Sequence, residues 1–404
     1  LQLKIGENAA SGSLEIAPAR KPPFVKASLK SEQLDLRPFF PDKEEQESPA
    51  AAGAERKPTK ETVFPDARLP LDALQRLDAE IDLQARQIFL PQLALNDVTM
   101  EARLDDGTMV IRPLKAASGG GTFDGQAQIA ATGETGEIDV SLVVDRLNLG
   151  EMLKQLGVTE RLEGNLDADV QLSGTGASVA GVMANLNGKA IMMMEGGRVS
   201  NKYLALLEQD IGSGLSSLLN PAAESQRFTD INCFVSRFDV NNGLAKSTVL
   251  LADTPGMTVV GDGTVDLKTE KLNLSLVPSP KKGMLAEAGA KTRVDLGQLA
   301  TPLRLSGTLA NPKLAVDRQQ SIATVGKLVE LFGSSSQTED AAETAPAEDP
   351  CITAKKIAET GVVPESAKPQ PQKGLVEQLA PGLKEEEKKA LGEVEQQLKK
   401  LFEK

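Results

Sequence analysis

Residues 164–174, GNLDADVQLSG, decide the fold. Leu166, Ala168, Val170 and Leu172 alternate with Asp167, Asp169 and Gln171. Side chains on a strand point by turns to opposite sides, so a period of two makes a strand with one apolar and one polar face. The pattern continues outward in both directions. Upstream, Ile138, Val140, Leu142 and Val144 alternate with Asp139, Ser141 and Val143. Downstream, Val265 and Leu267, then Leu272, Leu274 and Leu276, flank KTEK (268–271), which reads as a four-residue hairpin turn. Val98, Met100, Ala102 and Leu104 run into Asp105-Asp106-Gly107, and Asn241-Asn242-Gly243 follows Phe238–Val240. Asp-Gly and Asn-Gly supply the left-handed backbone of tight hairpin turns.

A loose repeat joins these pieces. ASGSLEIA (10–17), GGTFDGQAQIAA (120–131), VVGDGTVDLK (259–268) and LRLSGTLANPKLAV (303–316) each set glycine at a strand start or bend beside alternating apolar residues. Turn signals recur about every 8–12 residues, the spacing of an all-β meander rather than of βαβ units. Helical spacing is scarce. It is found in 149–156 (LGEMLKQL), 201–219 (NKYLALLEQDIGSGLSSLL), 322–332 (IATVGKLVELF) and 383–402, where Leu383, Leu391, Val394, Leu398 and Leu401 share a face. That last helix mixes lysine and glutamate evenly, which suits docking on protein better than on a membrane surface.

Three stretches carry too little apolar surface to offset the entropy of ordering: 41–66, 334–350 and 361–373. They predict N-terminal strands over 1–40, a linker over 41–66, a main sheet domain over 67–333, a second linker over 334–350 and a tail over 351–404 that ends in the amphipathic helix.

Composition narrows the chemistry. The 404 residues include no histidine, which excludes Ser-His-Asp and Cys-His nucleophiles and imidazole metal sites. With 57 acidic against 45 basic residues and 3% aromatics, the chain lacks the basic patch and stacking platforms of a nucleic-acid binder. Gly261-Asp262-Gly263 and Gly212-Ser213-Gly214 do not extend into a dinucleotide fingerprint, and no P-loop or calcium loop is present. Asp167 and Asp169, at strand spacing, read as a solvated face rather than a hydrolase pair. No catalytic residue, cofactor or metal is expected. Cys233 and Cys351 are the two cysteines. They are either free thiols or one disulfide, which would pin the tail to the body. Apolar runs such as Ala190–Met194 and Val249–Ala252 are far short of the ~18–20 residues of a membrane-spanning helix. The chain opens on a strand-like LQLKIG without methionine, so it is expected to be the downstream part of a longer protein.

The expected strands, about 14–18 against a usual 4–6 per sheet, present more apolar surface than these helices can cover. Two arrangements answer this. Either the strands close on themselves as a sandwich, or they form a large curved antiparallel sheet, an open trough whose apolar face receives acyl chains. The residues expected to face such chains are Ile129; Val140 and Leu142; Leu166, Val170 and Leu172; Val265 and Leu267; Leu272, Leu274 and Leu276; and Leu303 with Leu305.

Residues 70–129, from PLDALQRLDAEIDL to GGGTFDGQAQI, resemble the C-terminal region of the AsmA family. So do 147–200, LNLGEMLKQLGVTERLEGNLDADVQLSGTGASVAGVMANLNGKAIMMMEGGRVS. KASLKSEQLDLRPFF (26–40), residues 231–281, above all their GDGTVDLKTEKLNLSLVPSPK (261–281), and LSGTLANPKLAVD (305–317) add to the likeness in the family's order. The resemblance implies a periplasmic β-rich body in a Gram-negative envelope, held to the inner membrane by an upstream anchor outside this chain. It also implies a part in outer-membrane biogenesis and in phospholipid transport. Phospholipid or another acyl-chain lipid would be its ligand, and envelope proteins its partners. A periplasmic location would permit the Cys233–Cys351 disulfide. The rival expectations are a closed β-sandwich scaffold for envelope assembly and, more remotely, a carboxylate hydrolase.

Overall fold

The computed structural model describes residues 2–5, 8–39, 62–157, 162–201, 227–281, 302–317, 332 and 349–364. Among these residues sixteen strands form one sheet in which every neighbour in sequence is a neighbour in space. They are β1 (Gln2–Ile5), β2 (Asn8–Ala17), β3 (Phe24–Asp35), β4 (Asp78–Leu90), β5 (Leu93–Asp105), β6 (Thr108–Ser118), β7 (Gly121–Thr132) and β8 (Thr135–Asn148). β9 (Leu162–Gly176), β10 (Asn187–Ser200), β11 (Phe228–Asn241), β12 (Leu244–Asp253), β13 (Met257–Asp266), β14 (Lys271–Pro280), β15 (Leu303–Gly307) and β16 (Pro312–Val316) complete it. β1 and β16 stand at opposite ends of this order and do not pair, so the sheet is not closed into a barrel, and among the described residues there is no second sheet for it to face. The closed-sandwich expectation is thereby corrected: among the described residues every strand, even after the long connections β3–β4 and β10–β11, pairs into the same sheet.

A second correction concerns direction. The sheet is not antiparallel throughout, because β3 and β4 pair in parallel, with Phe24 opposite Asp78 and Leu29 opposite Leu83. A parallel pair requires a crossover back to the end where the first strand began. The last part of that crossover, residues 62–77, includes α1 (Leu71–Leu74) and runs along one edge of the strand ends. Thr62–Asp66 belong to this ordered strap, although their composition reads as linker.

The hairpin turns use the residues the sequence singled out. Asp106 and Gly107 take φ of 46° and 75° between β5 and β6, and Asn242 and Gly243 take 47° and 74° between β11 and β12. Register shifts interrupt the ladder within β5, β6, β8, β10, β11 and β12. Such bulges bend a strand and strengthen its twist. Gly188 makes one close approach possible: at φ 126°, an added Cβ would lie 2.0 Å from the Gln171 carbonyl oxygen of the neighbouring strand.

Among the described residues three further α-helices decorate the sheet: α2 (Leu149–Gln155), α3 (Val179–Ala184) and α4 (Pro350–Thr360). α2 begins where Asn148 accepts the Glu151 N–H, and α3 where Ser178 accepts that of Gly181. The helix expected at 149–156 corresponds to α2. Those expected at 201–219, 322–332 and 383–402 lie outside the described residues, apart from Asn201 and Phe332. By its contacts the chain divides into 1–363 and 364–404, so α4 is part of the sheet-bearing unit.

Candidate functional site

Residues directly opposite across a ladder present their side chains to the same face. One row followed through the register therefore shows what a face is made of. Leu14 of β2 stands opposite Ala27, which stands opposite Ile81, Ala102 and Ile111 in turn. The row goes on through Ala127, Val140, Leu172, Gly188 and Val240. It ends with Ala245, Val265 and Leu272 on β14. Thirteen consecutive strands, β2 to β14, contribute to this row without one polar side chain.

The expected lipid-facing residues fall on this face. Val140, Leu172, Val265 and Leu272 are in the row itself. Leu142 pairs with Val170 beside it, and Leu166 pairs with Met194. Ile129 pairs with Ile138. Leu274 and Leu276 stand opposite Leu305 and Leu303, which carry the face onward to Leu314 and Val316 of β16. Their surroundings differ, however. Leu172, Val265 and Leu267 pack with Val182 and Leu186 in a cluster built around α3, and Leu267 lies just past the end of β13. Leu274 and Leu303 are buried, whereas Val140, Leu14 and Ile16 are exposed. Sequence reasoning missed the upstream half of the face, although DAEIDLQARQ (78–87) alternates as plainly as β9 does.

The opposite face is polar. Glu15, Lys26, Glu80 and Arg103 face one another across β2 to β5, alternating in sign. Lys26 Nζ lies 2.9 Å from Glu80 Oε2. The hydrogen bond and the opposite charge hold the Glu80 carboxyl below and the Lys26 ammonium above their ordinary values. Past Val110, the same row continues through Gln128, Asp139, Ser173 and Asn187.

One apolar island interrupts this polar face. Ile191, Val235, Val249, Leu251 and Val260 are buried together with Ala354, Ile357 and Ala358 of α4. α4 is fixed at several points. Asp349 caps its N-terminus by accepting the Cys351 N–H at 2.8 Å. A disulfide joins Cys351 to Cys233 of β11, with Cα atoms 6.0 Å apart. At the other end Gly361 takes the left-handed conformation, φ 71°. A Cβ there would sit 2.8 Å from the Arg237 guanidinium carbon.

Arg237 also reaches Asp239, with Nη2 2.9 Å from Oδ1, and Thr248 donates a short hydrogen bond to the same carboxylate. Partial burial raises the Asp239 carboxyl, but the hydrogen bonds from Arg237 and Thr248, with the charges of Arg237 and Lys189, together outweigh it and hold the group below its ordinary value.

Among the described residues no group of three or more carboxylates or cysteines is placed to hold a metal. Among them, too, no helix is long and apolar enough to cross a membrane.

The model of the AsmA family matches residues 3–250, from β1 into β12. AsmA family protein YhjG of Escherichia coli (strain K12) is 23% identical over 330 residues, which is 79% of this chain and 46% of that protein. The chain thus spans less than half the length of this curated relative. No solved structure matches it.

Proposed function

The chain belongs to the AsmA family, and from that premise we propose that it serves envelope biogenesis by holding phospholipid acyl chains on the apolar face of its sheet. The observation that carries this reading is the row from Leu14 to Leu272, unbroken by any polar side chain. Apolar surface removed from water contributes about 25 cal/mol per Å², enough for a hydrocarbon tail to settle there. The row offers no hydrogen-bonding side chain to fix a tail at one point, so a tail is free to shift from strand to strand over β2 to β8, short of the strands where Leu172, Val240, Ala245 and Val265 pack with the α3 cluster. Binding and movement of this kind need no catalytic group, and the protein acts without one. The proposed setting is the periplasm, with an inner-membrane anchor supplied outside this chain and other envelope proteins as partners. The Cys233–Cys351 disulfide suits an oxidising compartment of that kind.

The test is direct. The protein is purified from cells, extracted with organic solvent, and the extract examined by mass spectrometry. Near-stoichiometric phospholipid, together with uptake of a fluorescent fatty acid by the stripped protein, supports the proposal. A lipid-free protein that takes up no fatty acid refutes it.

A further inference from the structure

The strap over residues 62–77 joins strands that lie far apart in the sheet. It touches the strand ends in reverse order. The carboxylate of Glu270, in the β13–β14 turn, accepts the Val63 and Phe64 N–H groups at 2.8 and 2.9 Å. Leu69 N–H then donates to the Ala177 carbonyl at 2.8 Å, just past the end of β9. Leu71 lies against Gly136 of β8, and the strap passes into β4 at Asp78. Glu270 is fixed from the other side too, since its own carbonyl accepts the Leu309 N–H of the β15–β16 turn at 2.8 Å. The residue is buried and takes φ 56°, a left-handed conformation that glycine or asparagine adopts with less strain. The turn alone gives no reason for a glutamate there. The strap does, because its two N–H groups and the buried carboxylate satisfy one another.

We infer that Glu270 is a clasp, that it holds the strap as a tie across β4 to β14, and that this tie limits how far the sheet spreads along this margin. Ladder hydrogen bonds fix the spacing from one strand to the next. They leave the twist per step loose, over a range of about 10–35°, so small changes accumulate across many strands. The register shifts in β8, β10, β11 and β12 add places to bend. The strap has no length to spare. Between Phe64 and Asp78, the residues of α1 rise about 1.5 Å each and the others at most about 3.4 Å, a reach of about 40 Å. Along the sheet the steps from β4 to β13, at about 4.8 Å each, come to about 43 Å. The stretch from Phe64 to Leu69 supplies at most about 17 Å for the steps from β13 to β9, about 19 Å, and the reach of the glutamate side chain makes up the difference. Spreading of the strand ends therefore pulls on the clasp. This limit holds whatever lies on the sheet, so it does not rest on lipid binding.

The test reads distances in the full-length chain. Spin labels on Glu134→Cys, in the β7–β8 turn, and Lys268→Cys, in the β13–β14 turn, span the clasped margin. Labels on Gln92→Cys and Pro255→Cys, in the β4–β5 and β12–β13 turns, span the opposite one. All four positions are exposed, and the native cysteines, joined to each other, take no label. Double electron–electron resonance is recorded for each pair with Glu270 in place and in Glu270→Gly, which removes the carboxylate and eases the turn. In Glu270→Gly the 134–268 distribution is expected to broaden and its mean to move outward by about 5 Å, one strand spacing, while the 92–255 distribution stays as it was. If Glu270→Gly does not fold, a Gly-Ser-Gly-Ser insertion between Ala67 and Arg68, with Glu270 kept, slackens the same tie and is expected to give the same shift. An unchanged 134–268 distribution in the variant read, or equal broadening of both pairs, overturns the inference. Neither result bears on the proposed function, which is decided by the lipid bound to the unmodified chain.

Discussion

The guanidinium of Arg237, on β11, donates from Nη1 to the carbonyl oxygen of Ala358, at the C-terminal end of α4, at 2.9 Å. Helix ends leave carbonyls without partners, and a cation there satisfies them and complements the helix dipole. Because the same guanidinium holds Asp239, it joins the helix to the sheet by a planar fork that a lysine ammonium does not reproduce. Arg237→Ala is expected to weaken α4 docking by about 1–3 kcal/mol, read as faster hydrogen exchange over 350–360. Arg237→Lys restores part of the protection. Unchanged exchange in Arg237→Ala would show that the buried apolar contacts alone hold the helix.

The Asp239 carboxyl gives the docking a pH dependence. Its folded value lies below its unfolded one, so ionised Asp239 favours the folded state above the unfolded value. That contribution is lost as pH falls through the folded value. Protection over α4, taken relative to the intrinsic exchange rate at each pH, is therefore expected to hold steady from neutral pH down to about pH 5 and to fall below about pH 4, near and under the ordinary aspartate value. In Asp239→Asn the acid-induced change is expected to shrink. An equal change in both proteins would place the sensitive group elsewhere.

The disulfide spans 118 residues of sequence, and bonds that close long loops typically contribute about 2–4 kcal/mol. Cys351→Ser is expected to lower the melting temperature and to loosen α4, while exchange in β4 to β8 stays as it was. Without reductant, a thiol reagent is expected to label neither cysteine of the unmodified protein. Labelling of both would show two free thiols instead.

Much of this fold is legible in the sequence because alternation survives wherever one face meets water. β8, β9 and the β13–β14 hairpin are read directly from their period of two, and the turns from Asp106-Gly107 and Asn242-Gly243. The parallel β3–β4 pair is not legible, since alternation says nothing about direction and the crossover passes through a stretch of linker-like composition. α3 escapes notice because VAGVMA (179–184) is too short to display a helical period. The apolar island under α4 did leave a trace. Strands covered on both faces lose their alternation and read as continuous apolar runs. Two of the longer runs, Ala190–Met194 and Val249–Ala252, lie on strands that α4 covers: Ile191, Val249 and Leu251 are buried beneath it, with Met193 packed alongside. Met194 and Leu250 turn instead to the other face, over Gly164 and Gly261. What the runs could not reveal is that the cover comes from a helix about 100–160 residues downstream of them.

Adjacent residues on β8 offer the sharpest test of the central claim, because Leu142 and Val143 point to opposite faces. Leu142 pairs with Val170 on the apolar face, and Val143 pairs with Asp169 on the polar one. An aspartate among apolar side chains costs several kcal/mol when a hydrocarbon covers it and little when water does. The measurement is the ratio of phospholipid to protein after purification of Leu142→Asp and Val143→Asp, each checked for an unchanged melting temperature, with Val170→Asp in reserve. The account predicts that Leu142→Asp loses its lipid while Val143→Asp keeps the ratio of the unmodified chain. Equal ratios in the two variants, or a greater loss from Val143→Asp, would contradict it.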